Sequence, residues 1–159
     1  ELASCLVGSE MCIRDSIYGH SAGAQFVHRY LLMSDKPKVK TAVAANAGWY
    51  TFLDGSNFPY GLSNPPINFN SSNVRDFLQM DFHVLIGSAD TDITSSVNQS
   101  NGANNQGANR FQRANNFFSY TQKIVDQNKL EFNWSFQIVN GVAHSNPRMS
   151  RAAAQILLD

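Results

Sequence analysis

Apolar positions along the chain follow two different periods. Ile17-Tyr18 is a short apolar stub of a strand. Val39 to Ala45 is a near-continuous apolar run, as expected of a parallel strand buried on both faces. Phe82 to Ile86 predicts a second buried strand. Phe132, Trp134, Phe136 and Ile138 alternate with polar residues, so Phe132 to Val139 reads as a further strand. Between these segments the period is helical. Ala22 to Met33 predicts a helix with Phe26, Val27, Tyr30 and Leu31 on one side, ended by Asp35-Lys36-Pro37. A short helix is expected around Val74 to Gln79. A longer one is expected over Phe111 to Val125, with Phe117, Phe118, Ile124 and Val125 for its buried side. Pro147 suits the first position of a last helix, whose stripe is Met149, Ala153, Ile156 and Leu157. Gly48 to Asn73 is punctuated by Gly, Pro and Asn and reads as irregular. Asn98 to Gly107 and Asn140 to Asn146 read as loops. The order strand, helix, strand, loop, strand, helix, strand, helix predicts one α/β domain with a mostly parallel sheet flanked by helices.

The first sixteen residues change where that reading starts. Leu6-Val7-Gly8-Ser9-Glu10-Met11-Cys12-Ile13-Arg14-Asp15-Ser16 resembles the translation of a transposase sequencing adapter. Residues 1–16 are therefore set aside as a non-native segment, as a fusion scar would be. The expectation for 17–159 is the C-terminal part of a single domain whose upstream strands are missing. Cys5 and Cys12 leave with the first segment, so the remainder offers no disulfide, thiolate nucleophile or cysteine metal site. Glu1, Glu10, Asp15 and Arg14 leave too, which takes the formal charge from zero to +2.

Composition narrows the partners. Hydrophobic residues are 43% and charged residues 15%, a globular mixture weighted toward uncharged polar residues. No apolar run approaches the roughly 18 residues of a membrane span. No Lys/Arg cluster stands out, which argues against nucleic acid or an anionic membrane as partner. The Asn-rich stretch from Asn98 to Asn116 reads as a solvated loop.

The chemistry begins at Gly19-His20-Ser21-Ala22-Gly23. A serine hydroxyl becomes nucleophilic only if a neighbouring base takes its proton as it attacks. A strand-to-helix turn with glycine on both sides lets the backbone bend sharply and projects the serine at the sheet's carboxyl edge. The backbone N–H of Ala22, at the start of the helix, is then placed to hold a developing oxyanion. With each fixed residue at roughly 7% of positions, a chain this long shows Gly-x-Ser-x-Gly by chance about one time in twenty. The apolar stub before it and the amphipathic helix after it are the context the motif requires.

On such an elbow the acid and then the base follow along the chain. Asp90 comes just after the strand Phe82 to Ile86, at the same carboxyl edge as Ser21, where a carboxylate can orient an imidazole. Asp92 is the alternative acid, and a turn aspartate capping its own backbone is the plain reading of either. Of four histidines, His20 lies in the elbow, His28 on the following helix, where partial burial or exposure suffices, and His83 at the start of a buried strand. His144, in Gly141-Val142-Ala143-His144-Ser145, lies in a loop downstream of both Ser21 and Asp90 and is the candidate base. No histidine pair has helix-face spacing with a carboxylate, so no metal is expected.

Tyr18 to Gln25, Ala44 to Tyr50, Phe58 to Leu62, Ile86 to Asp92 and Gly141 to Ser145 resemble α/β-hydrolases related to polyhydroxybutyrate depolymerases and feruloyl esterases. The segments that carry it are Gly-His-Ser-Ala-Gly, Ala-Asn-Ala-Gly-Trp-Tyr, Gly-Ser-Ala-Asp-Thr-Asp and Gly-Val-Ala-His-Ser. The resemblance implies an esterase-like serine hydrolase without cofactor, with Ser21, Asp90 and His144 as triad and a small-molecule or polymeric ester as substrate. It does not fix the substrate, because this fold hosts many reactions. The family carries the second oxyanion N–H upstream of the elbow, so Ala22 is the one donor expected here, and these 159 residues are expected to show no useful activity by themselves. His20, Asn46, Trp49 and Tyr50 are candidates for the substrate pocket, with plain core packing the alternative for Trp49. A peptidase of the same fold and a non-catalytic binding domain that kept the elbow are the other functions open at this point.

Overall fold

A computed structural model describes residues 15–68, 70–94 and 96–158. Most of the adapter-like run therefore lies outside the described residues. The elements are β1 (Asp15–His20), α1 (Ala22–Met33), β2 (Val39–Ala45), α2 (Ser71–Gln79), β3 (Asp81–Gly87), α3 (Asn101–Asn104), α4 (Arg110–Asn128), β4 (Trp134–Val139) and α5 (Asn146–Leu158). The strands lie in the order β1-β2-β3-β4, each parallel to its neighbours. β1 starts two residues earlier than the expected stub, and its register on β2 shifts between Asp15 and Ile17.

Helices on both faces explain why β2 and β3 read as apolar runs. Ala42, Ala44, Phe82, Val84 and Ile86 turn to one face, toward α1, α2 and α4. Val43, Ala45 and Leu85 turn to the other, toward Met149 and Ala153 of α5. The first face is aromatic. Tyr50 stacks on Phe117 with ring centroids 4.5 Å apart, and Phe77 lies 4.5 Å from Trp134. The Trp134 indole N–H donates to the Phe77 carbonyl at 2.8 Å, so its polar atom is satisfied in the core.

Three expectations change. On α1 the buried positions are Ala24, Val27, His28, Leu31 and Leu32. Phe26 and Tyr30 are 59% and 36% exposed and stack on each other instead. They form their own pair four residues apart, one residue before the Val27–Leu31 pair and so rotated about 100° from it. On β4, Trp134 is buried but Ile138, at the carboxyl end of this outer strand, is 40% exposed. The stretch 98–107 is also not simply solvated. It contains α3, and Ala103 and Gln106 are buried. Arg113, fully buried, reaches back from α4 and donates to the carbonyls of Gly107, Gly48 and Asn98 at 2.7–2.9 Å and to Asn104 Oδ1 at 3.1 Å. Satisfying its donors on oxygens is what permits a cation to sit there.

Candidate active site

The turn between β1 and α1 is set by two backbone facts. Ser21 has φ 57° and ψ −116°, a conformation in which few non-glycine residues are found. A Cβ on Gly19 would run into the backbone of Gly23, so strand and helix start in direct contact. At Gly23 itself a Cβ meets nothing within 4 Å, so the steric need for glycine is found at position 19. The Ser21 N–H donates to the Ala45 carbonyl at 2.9 Å, which ties the turn to the end of β2. A serine before a helix usually caps it with its hydroxyl. Ser21 makes no such bond, and its Oγ lies 3.0 Å from His144 Nε2 instead.

His144 comes from the loop between β4 and α5. Its Nδ1 lies 2.8 Å from Asp90 Oδ2. Asp90 follows β3 in a tight turn in which its N–H returns to the Gly87 carbonyl at 3.0 Å. Gly87 is required there, because a Cβ would run into the Val142 carbonyl of the His144 loop. Asp92 is exposed and bonds its own turn, accepting from the Thr94 N–H at 2.9 Å, from the Thr94 hydroxyl at 2.9 Å and from the Ser96 hydroxyl at 3.0 Å. The structure thus brings Ser21, His144 and Asp90 into one hydrogen-bonded line and leaves Asp92 outside it.

No family model matches the chain, and no curated protein matches it. Solved structures do. Poly(aspartic acid) hydrolase-1 from Sphingomonas sp. KT-1 is 34% identical at a TM-score of 0.86, over 99% of this chain and 60% of its own. LpqC, a poly(3-hydroxybutyrate) depolymerase from Bordetella parapertussis, is 30% identical at a TM-score of 0.84, over 91% of this chain and 50% of its own. The chain has an α/β-hydrolase fold. It spans between half and two thirds of the length of these two neighbours, and its four parallel strands with their helices form a C-terminal part of that fold.

Within this α/β-hydrolase part, two residues near the line depart from the sequence reading, the first unread there and the second placed elsewhere. Arg110, at the start of α4, is buried and sets Nη1 3.3 Å from Asp90 Oδ1, while its Nη2 donates to the Ser96 carbonyl at 2.5 Å. The Asp90 carboxylate is 1% exposed, and a buried anion needs such a partner. An arginine 20 residues away in an Asn-rich stretch carries no signal of this. Asn46 is the second: it is fully buried and bonds the backbones of Gly87 and Ala143. That corrects its assignment to the substrate pocket.

The other pocket candidates divide. His20 is half-buried with its ring 4.6 Å from that of His144. Burial, and then the nearby His144, pull its pKa down to about 4, so it is uncharged at neutral pH. Trp49 is buried between the Arg29 guanidinium, 4.7 Å above its ring, and the edge of Tyr60 at 5.0 Å. Tyr50 is fully buried in the aromatic core, which removes it from the pocket. His28, expected to be partly buried or exposed, is fully buried. His83 is half-buried, its Nδ1 2.6 Å from the Ser135 hydroxyl. Ala22 opens α1, so its N–H belongs to the first turn, where backbone donors have no partner within the helix.

Proposed function

We propose that the complete protein is a serine hydrolase that cleaves carboxylic esters through an acyl-enzyme. The observation that carries this reading is the line Ser21 Oγ, His144, Asp90, with contacts of 3.0 and 2.8 Å. Asp90 accepts a hydrogen bond from the Nδ1–H of His144, which leaves the Nε2 lone pair facing the Ser21 hydroxyl. His144 takes the Ser21 proton as Oγ attacks the ester carbonyl carbon. The negative charge moves to the carbonyl oxygen, where the Ala22 N–H stabilises it. The bond to the alcohol breaks, and the alcohol leaves with the proton held by His144. Water then gives a proton to His144 and attacks the acyl group, and the acid departs as Ser21 recovers its proton. Arg110 pairs with the far oxygen of Asp90 and holds the carboxylate in place without touching the reacting atoms.

Both neighbours are hydrolases by name, and the poly(3-hydroxybutyrate) depolymerase cleaves a polyester. This supports an ester substrate, small or polymeric. The poly(aspartic acid) hydrolase favours a second reading, an amide or peptide hydrolase using the same line. The test is made on the complete protein from the natural gene. A fluorophosphonate probe should label Ser21, and Ser21→Ala should abolish both labelling and p-nitrophenyl ester hydrolysis. Equal ester hydrolysis by parent and variant sinks the proposal. Faster turnover of peptides than of esters selects the second reading, and an unlabelled, folded parent indicates a binding domain that kept the elbow.

A further inference from the structure

Asn46 stands where the three parts of the site meet. It follows the last residue of β2, whose carbonyl accepts the Ser21 N–H at 2.9 Å. Its own N–H donates to Leu85 of β3 at 2.9 Å. Its side-chain Oδ1 accepts the Gly87 N–H at 2.9 Å, and its Nδ2 donates to the Ala143 carbonyl at 3.1 Å. Gly87 closes the turn that presents Asp90, and Ala143 immediately precedes His144. One buried amide therefore spans the turn of the acid and the loop of the base, directly behind the elbow of the nucleophile. Ala89 to Val142 at 3.0 Å and Gly141 to the Ser88 hydroxyl at 2.8 Å hold the same two loops, but farther along the chain from His144.

We infer that Asn46 is a positioning residue that sets the reach of His144 to Ser21 and Asp90, an inference that rests on the hydrolase reading above. The residue type fits the task. Asn46 has φ 50°, a left-handed conformation that asparagine tolerates well among residues with a side chain. Its two bonds also need an acceptor at one end and a donor at the other. An amide supplies both, whereas an ionised carboxylate only accepts and would face the Ala143 carbonyl with a second oxygen. Loss of the bond frees the peptide next to His144, and a displacement of about 1 Å in such a group costs on the order of a hundredfold in rate.

The experiment compares the complete parent protein with Asn46→Gly and Asn46→Asp. Glycine keeps the backbone conformation and removes both side-chain bonds. Aspartate keeps the shape but puts a second oxygen, and a buried charge, against the Ala143 carbonyl in place of the donor. Both variants should lose about ten- to a hundredfold in kcat with KM nearly unchanged, up to the cost of misplacing a reacting group by about 1 Å. Labelling of Ser21 by the fluorophosphonate should slow by the same factor. The Nδ1–H proton resonance of His144 should be sharp in the parent and broadened by exchange with water in both variants. Folded variants with kcat within twofold of the parent and an unchanged His144 resonance overturn the inference. Should neither variant fold, the labelled parent decides: titrating His144 should move the Asn46 side-chain amide resonances, and an unmoved pair overturns it. A parent that the probe leaves unlabelled overturns the hydrolase reading instead, while the His144 resonance still tests the hold of Asn46.

Discussion

His28 and His144 are the same side chain in two regions of opposite character. His28 lies inside α1, fully buried, with the rings of Tyr50 and Phe117 5.4 and 6.0 Å away. Its Nδ1–H donates to the Ala24 carbonyl at 2.9 Å, and its Nε2 accepts the Thr51 N–H at 3.0 Å. Both nitrogens are committed to backbone groups that do not titrate at ordinary pH. A proton added at Nε2 would meet the Thr51 donor. Burial, outweighing the Ala24 bond, pulls the pKa down to about 3. His144 also uses both nitrogens, but on a buried carboxylate and a hydroxyl, with its side chain 31% exposed at the carboxyl edge of the sheet. Backbone partners make a histidine a pin, whereas a carboxylate and a hydroxyl are the partners that the proposed proton-carrying role requires.

This contrast can be broken from either side. The largest effect belongs to the edge. Ser21→Ala in the complete protein should lower kcat on the order of 10⁴-fold or more, measured by initial rates on a p-nitrophenyl ester, with little change in thermal midpoint by calorimetry. In the interior the balance reverses. Phe117→Ala removes the ring that stacks on Tyr50 and should cost about 3–5 kcal/mol in denaturant unfolding, with kcat per folded molecule close to the parent's.

His28→Leu should cost about 1–3 kcal/mol at pH 7, because the buried Thr51 N–H loses its acceptor. The same variant tests the pH dependence. A folded pKa below the unfolded value of 6.5 means that the unfolded chain takes up the proton first as pH falls. The contribution is intact above pH 6.5 and is lost progressively down to about pH 3, roughly 5 kcal/mol in all. Unfolding measured across that window should steepen with acid in the parent and flatten in the variant. The smallest effect is expected for Asp92→Ala, with kcat within about twofold and stability within roughly 0.5 kcal/mol. A loss like that of a missing acid would move the role from Asp90 to Asp92.

The sequence made the architecture legible because strands buried on both faces leave runs such as Val39 to Ala45 that need no partner to be recognised. Ser21 and the loop of His144 were legible through short-range context. Asp90 was preferred to Asp92 on its place just after β3, with Asp92 kept as the alternative, because both occupy one turn and the separation between them lies in the long-range contact with His144. Asn46 and Tyr50 misled for a related reason. Both follow the end of β2, where a side chain can turn to the pocket or to the core, and that is decided by the distant residues Ala143 and Phe117. Arg110 and Arg113 were invisible because their partners are set by the path of the chain between β3 and α4, not by spacing. The helical stripe on α1 was read one residue off because Phe26 and Tyr30 are larger than Ala24 and His28, which are in fact the buried positions.

The backbone at Ser21 carries a consequence for anyone who would improve this protein. Its φ of 57° suits glycine, and a side chain held in such a conformation costs on the order of 1–3 kcal/mol. Glycine at this position relieves the strain and removes the hydroxyl in the same step. If Ser21 is the nucleophile as proposed, a laboratory selection that scored only resistance to heat or protease would enrich the inert form, whose most durable survivors would lack the attacking oxygen. Each round would have to ask for turnover as well as survival.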